Sequence, residues 1–310
     1  NGVFDGSIEY YTAVTKDLLV DRALPDILGF SSVATNLGEV KNHGMEIVLN
    51  SRIMKRQNFS WNTNVNFTFN RNEIVSLYGD MVDVLDDNGN IIGQKEADDY
   101  TNGWFIGKPI DVIWQPRIMG VWQIGEEEEA AQYGQFPGDF KLKDVEGPGV
   151  INDLDKEFLG YRTPRFRWNM RHEFNFFKHF NASFMLYSYW GHKGTMNSAK
   201  NRDSFPERVN SYKIPFWTPE TPHNDYARIY SAQGGAVFDV WRDRSFIRLD
   251  NISLAYTVPP VALSKLQIQN LKVFGTIRNV GWWAPKWEFW DPENSGPNPR
   301  YFTLGVNLTL

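Results

Sequence analysis

Residues 59–70 read FSWNTNVNFTFN, and large apolar side chains alternate there with small polar ones. The odd-numbered residues Phe59, Trp61, Thr63, Val65, Phe67 and Phe69 fall on one side of a strand with a two-residue period, and serine, threonine and asparagines occupy the other. The alternation runs through the whole segment, whereas strands of soluble proteins average about 5–6 residues and membrane-spanning strands need about 9–11. The length therefore favours a strand that crosses a bilayer, although a large soluble sandwich with one wet face produces the same alternation.

Two further segments repeat this pattern. Residues 165–176 and 301–310 both alternate, and the side opposite the apolar one carries arginine, glutamate, asparagine or threonine. A water-filled lumen accepts such side chains, while lipid accepts the apolar set. The pattern predicts an all-β chain that contributes antiparallel strands to a transmembrane barrel.

About ten strands are predicted along the chain, and their connections alternate between short and long. Long loops are expected near 71–103, 125–164, 191–244 and 281–299, and the acidic run 126–132 is read as a loop rather than a short helix. Sorted loop lengths are typical of outer-membrane barrels. The predicted strands are 3–16, 38–53, 58–70, 104–113, 117–124, 165–176, 181–192, 245–258, 271–280 and 300–310.

Composition removes several classes of function. The chain has 310 residues, 32 Lys and Arg against 37 Asp and Glu, a net charge of −5 and no cysteine. The mild acidity argues against nucleic acid as a partner, and thiolate metal sites, disulfides and cysteine nucleophiles are excluded. The five histidines lack metal-ligand spacing, and neither a nucleophile elbow nor a phosphate-binding loop is present. The chain is therefore not expected to be an enzyme.

Several motifs, taken together and in order, resemble the SusC/RagA family of TonB-dependent outer-membrane transporters. They are YYTAVTKDLL at 10–19, Leu24-Pro25, Gly29-Phe30, NLGEVKNHGME at 36–46, GDFKLKD at 138–144, WTPETP at 217–222, SFIRLDNISL at 245–254 and PRYFTLGVNL at 299–308.

The resemblance implies that residues 1–310 are the C-terminal part of a barrel with roughly 22 strands, without the N-terminal plug. It further implies import of oligosaccharides or peptides, TonB as energy source through the N-terminal part, and a SusD-like surface lipoprotein as lid. The location would be the outer membrane of a Gram-negative, Bacteroidota-like bacterium, in contact with lipid. A closed ten-stranded barrel is the less compatible alternative, because its narrow mouth would be crowded by the long loops.

The acidic stretch 144–155 resembles a degenerate calcium loop. Asp144, Glu146 and Asp155 occupy three of its carboxylate positions, but the fifth position is Pro148, whose side chain cannot ligate. Calcium is therefore only a possible cofactor, and a turn without an ion is the alternative.

Tryptophans in the long loops are the candidate substrate-binding residues, because exposed rings can stack on sugars or hold apolar peptide side chains. The candidates are Trp217, Trp283, Trp287 and Trp290. Packing within the loops, or a place in the aromatic girdle at the membrane surface, would explain the same residues without a ligand.

Three functional hypotheses remain open from sequence. The first is TonB-dependent import. The second is a soluble carbohydrate-binding or glycan-hydrolysing β-protein, and the third is a structural surface protein without a transported solute.

Overall fold

A computed structural model describes residues 3–23, 32–147, 149–200, 214–264, 268–294 and 296–310. The motif residues Leu24, Pro25, Gly29 and Phe30 lie outside the described residues, as do Pro148 of the acidic loop and part of the predicted 191–244 loop. No helix in the described part of the chain is long and apolar enough to cross a membrane.

Eight strands form one continuous antiparallel sheet, in chain order. They are β1 (Phe4–Ala23), β2 (Ser32–Arg56), β3 (Phe59–Ser76), β10 (Phe166–Phe176), β11 (Phe180–Trp190), β14 (Phe246–Thr257), β15 (Asn270–Trp283) and β16 (Tyr301–Thr309). The described sheet is open, with β1 and β16 at its edges. The predicted fold class is confirmed.

Two of the ten predicted wall strands are wrong. The segments 104–113 and 117–124 do not join the large sheet. β6 (Val112–Pro116) pairs with β9 (Lys156–Tyr161), and β7 (Ile118–Val121) pairs with β8 (Phe140–Leu142). These strands are only three to six residues long. Short apolar runs look alike in a barrel wall and in a buried loop hairpin, so periodicity alone could not separate them.

Most of the remaining elements belong to the long connections. They are β4 (Met81–Leu85), β5 (Ile91–Glu96), α1 (Glu127–Gln132), β12 (Lys193–Thr195) and β13 (Trp241–Asp243), whereas α2 (Pro260–Leu263) lies in the connection 258–269 between β14 and β15. The prediction that 126–132 is a loop was therefore wrong, because α1 forms there. Its Ala130 is fully buried, so tertiary packing stabilises a helix that is too short to be stable alone.

Apolar rows cover one face of the sheet. The register places Phe67 beside Trp168, Val65 beside Met170 and Trp61 beside Phe174. At the β16 edge Phe302 is 72% exposed and Leu304 is 89% exposed. The soluble-sandwich alternative requires these rows to be covered by a second layer, whereas in the described residues the paired rings stay partly accessible and no second sheet covers them.

Long and short connections lie at opposite ends of the sheet. Residues 57–58 and 177–179 make tight turns at one end, whereas 77–165, 191–245 and 284–300 link the strands at the other. We call residues 112–147, 149–161, 193–200 and 214–243 the loop layer. Its buried core contains Val121, Phe140, Leu142, Met196, Ala199, Trp217, Tyr226, Ala227, Ala236, Phe238 and Val240.

Candidate functional site

The polar face of the sheet carries a connected row of asparagine amides. Asn64 Nδ2 donates to Asn50 Oδ1 at 2.7 Å, and Asn66 Nδ2 donates to Asn64 Oδ1 and to Asn169 Oδ1, both at 2.8 Å. The row crosses β2, β3 and β10. Primary amides both donate and accept, so this surface can hydrogen-bond many polar solutes.

Two clefts lie on the same polar face. One has a volume of about 290 Å³ and is lined by the amide row together with Arg52, Arg171 and Glu173. The other, of about 380 Å³, is lined by Arg167, Tyr187, Tyr189 and Glu293 as well as asparagines. Arg171 Nε donates to Glu173 Oε1 at 2.9 Å, so opposite charges are paired along the wall.

A buried ion pair attaches the 284–300 connection to this face. Arg248 on β14 donates to Asp291 Oδ1 and to Asn279 Oδ1, each at 2.5 Å. Glu293, whose Oε2 lies 3.4 Å from Arg248 Nε, also accepts a hydrogen bond of 2.5 Å from the Tyr187 hydroxyl. Removing one member would leave a buried charge without its partner, so the connection is held firmly against the polar face.

The GDF motif at 138–140 joins two connections of the loop layer. The fully buried Asp139 accepts hydrogen bonds from Arg228 Nε at 2.8 Å and from the backbone N–H groups of Phe136 and Ala232 at 2.9 Å each. Gly138 has φ +93°, and a Cβ there would lie 2.8 Å from the side chain of Arg228. The glycine and the aspartate of the motif are explained by this close approach of two connections.

Two of the four candidate tryptophans are buried within the chain. Trp217 is 6% exposed and donates from Nε1 to Gln123 Oε1 at 3.0 Å. Trp287 is 2% exposed, donates to the carbonyl of Trp290 at 2.9 Å and lies under the guanidinium of Arg244, 5.0 Å from the ring centroid. Neither ring offers a free face for stacking on a solute, so both are corrected to packing residues.

The other two candidates occupy different positions. Trp283 is 57% exposed, pairs with Ile247 and stacks on Trp190, with ring centroids 6.5 Å apart. These residues end the apolar face next to the long connections, where an aromatic girdle is expected. Trp290 is half-buried beside Phe289. Substrate contact by Trp290 stays a prediction.

The acidic stretch uses its carboxylates to close its own turn. Asp155 is fully buried and accepts from the backbone N–H groups of Val145 at 2.7 Å and Asn152 at 2.8 Å. Asp144 accepts from Gly147 N at 2.8 Å, and Glu146 accepts from Asn152 Nδ2 at 3.3 Å. No group of three acidic or histidine side chains in the described ranges is placed to hold a metal ion. The fit to calcium is therefore poor.

The sequence analysis missed Arg248, Asp291 and the buried Asp139. A charged residue within an apolar strand motif, such as the arginine in SFIRLDN, was the available signal. Its partner stands 43 residues later, so nothing local could identify it.

Relatives and solved structures share this fold. No protein-family model matches the chain. TonB-dependent receptor P26 of Formosa agariphila is 28% identical over the whole chain, which covers 33% of that protein. TonB-dependent receptor SusC of Bacteroides thetaiotaomicron is 26% identical, again over the whole chain and 30% of the relative.

The structure of the RagAB peptide transporter superposes with a TM-score of 0.69 at 20% identity, and covers 99% of this chain and 34% of that one. The chain thus spans about a third of the length of the curated relatives that it matches. The open sheet, with one apolar and one polar face, agrees with a segment of a larger barrel. In sequence and in fold, the chain is thus similar to about a third of a SusC/RagA-like TonB-dependent transporter.

Proposed function

We propose that this chain forms part of the wall and the outer loops of a TonB-dependent importer in the outer membrane of a Gram-negative bacterium. The observation that carries the proposal is the opposition of the two sheet faces. The apolar face is exposed over several strands, whereas the opposite face carries the amide row, paired charges and two clefts. Lipid on one side and a hydrated passage on the other account for both faces.

The passage would take oligosaccharides or peptides. Asparagine and arginine side chains bind hydroxyl, amide and carboxylate groups alike, so the wall supports either class. RagAB is named as a peptide transporter, and the curated relatives are receptors, which supports binding and transport rather than catalysis.

A SusD-like surface lipoprotein would cover the loop layer, and TonB would act through a plug-bearing part of the protein. The similarity to SusC and to the RagAB peptide transporter supports this arrangement. A tagged intact protein purified from its own outer membrane should bring a surface lipoprotein with it, as mass spectrometry would show.

Uptake by whole cells tests the function. Cells producing the intact protein should accumulate a fluorescent oligosaccharide or peptide, and a proton uncoupler should reduce uptake to the level of cells without the protein. Uncoupler-insensitive uptake would contradict TonB-dependent import. Recovery of the intact protein without detergent would favour the soluble alternative, and a membrane protein without any solute would favour the structural one.

A further inference from the structure

Lys193 is a half-buried lysine whose ammonium group has no partner among the residues that the structure describes. It opens β12, and its side chain packs against Gly160, where an added Cβ would lie 3.2 Å from Lys193 Cε. Within the described residues, no hydrogen bond or ion pair involves its Nζ. Removing a charge from water without a partner is unfavourable, so Lys193 is a group that gains from a bound anion.

Two clefts of the loop layer meet at this side chain. One, of about 270 Å³, is also lined by Arg117, and the other, of about 450 Å³, by Lys286. Arg242 lines both. Three connections of the chain thus bring four cations around one pair of clefts.

Acidic residues lie in the same clefts, and Asp243 lies directly opposite Lys193 in the β12–β13 pair. Asp243 Oδ1 accepts from the backbone N–H of Ser245 at 2.8 Å, and Asp225 pairs with Arg242 at 3.5 Å. Asp239 accepts from Gln115 and Asn197. Glu288 is exposed at the rim of the larger cleft.

The neighbouring cations also affect the pKa of Lys193. Burial lowers the pKa of Lys193, and the charges of Arg117, Lys286 and Arg242 lower it further against the single opposing effect of Asp243. The adjacent His192 adds no positive charge at neutral pH, because burial and the neighbouring Arg244 lower its pKa to about 4.

We propose that the clefts meeting at Lys193 bind an oxyanion, a carboxylate or sulfate ester, carried by the imported solute. The proposal rests on the proposed function, because it assigns a charge class to the solute that passes the loop layer. An incoming oxyanion would give Lys193 the charge-assisted hydrogen bond that the described part of the chain does not supply. Lys286, which is exposed on the rim, would guide the anion inward.

Direct binding to the intact protein in detergent tests the site. We would titrate trigalacturonate, a sulfated disaccharide and a triglutamate peptide, with maltotriose and trialanine amide as uncharged counterparts. Lys193→Gln should weaken binding of the anionic probes by about tenfold or more. Lys193→Arg should retain most of it, and Lys108→Gln, at an exposed lysine outside both clefts, should change nothing.

The pattern of affinities identifies the source of the oxyanion. Preference for the galacturonate or sulfated probe indicates an acidic glycan, and preference for triglutamate indicates an acidic peptide. Equal affinity of wild type and Lys193→Gln, or no anionic probe binding the wild type, would overturn the proposal. Uncoupler-insensitive uptake would remove the import function and leave an anion site detected by titration in place.

Discussion

The eight-stranded sheet and the loop layer differ in where their apolar side chains lie. The sheet carries them on its outer surface, and the loop layer carries them in a buried core. The sheet exposes Phe302 and Leu304 on its outer face, whereas the loop layer buries Phe140 and Phe238 in a core of its own. The sheet is held mainly by its backbone ladder and by the medium around it. The loop layer folds like a small soluble domain, with ordinary burial and buried polar anchors such as Asp139.

The two regions should therefore be destabilised by different substitutions. A cavity in the loop core should destabilise the loop layer but not the sheet, because the loop core contributes nothing to the hydrogen bonds between the strands of the sheet. A charge on the outer surface of the sheet should destabilise the sheet but not the loop layer, because only the sheet faces lipid.

The largest expected effect is a cavity in the loop core. Phe140 is 1% exposed and packs edge to face on Phe238, so Phe140→Ala should destabilise the loop layer by about 3–5 kcal/mol. Hydrogen exchange in the intact protein should show faster exchange over 118–142 and unchanged protection in β10 and β11. Phe136→Ala, at an exposed phenylalanine of the same connection, is the control and should cost below about 1 kcal/mol. Equal exchange in the two variants would mean that the loop layer has no core of its own.

A charge on the outer face should have the next largest effect. Leu304 lies mid-strand in β16, so Leu304→Arg should cost about 2–4 kcal/mol in unfolding from lipid bilayers. Val237, which is 85% exposed in the loop layer, provides the matched control, and Val237→Arg should stay within about 0.5 kcal/mol. If both arginines were tolerated alike, the outer face of β16 would not contact lipid.

The smallest effect is expected when the pH is lowered. Hydrogen bonds from Lys143 and then Arg117 hold the pKa of Glu157 below its ordinary value. The stabilisation is therefore present above the ordinary glutamate pKa of about 4.3 and is lost as the pH falls through the lowered value. Exchange of 118–142 should be faster in Glu157→Gln than in wild type at pH 7, and the difference should shrink as the pH falls and vanish once Glu157 is protonated. Glu128→Gln, at an exposed glutamate of α1, should show no difference at any pH in the series. A Glu157→Gln difference that stayed constant from pH 7 downwards would show that the ion pairs do not act through charge.

The sheet was largely predictable because its signal is local. Alternation in 59–70, 165–176 and 301–310 predicted β3, β10 and β16 and the face each would turn to lipid. Successive side chains of a strand point to opposite faces of the sheet. The alternation within one segment therefore shows both that the segment is a strand and which face each side chain occupies. The runs 104–113 and 117–124 were assigned to the wall in error, because the strands that form there have only five and four residues.

The candidate site was much less predictable. Trp217 and Trp283 look equivalent in sequence, yet one is buried beside Gln123 and the other stands on the outer face beside Trp190. Exposure of a loop side chain depends on which distant segment covers it, and that information is absent from the neighbouring residues.

The sequence by itself determined a polar and an apolar face, the sorting of connections by length and the absence of thiol chemistry. Tertiary structure alone decided that Arg248 meets Asp291, that Asp139 meets Arg228 and that Lys193 has no partner among the described residues. Strand faces follow from backbone geometry that acts between neighbours. Ion pairs and clefts depend on segments tens of residues apart, whose approach is fixed only when the long connections pack together.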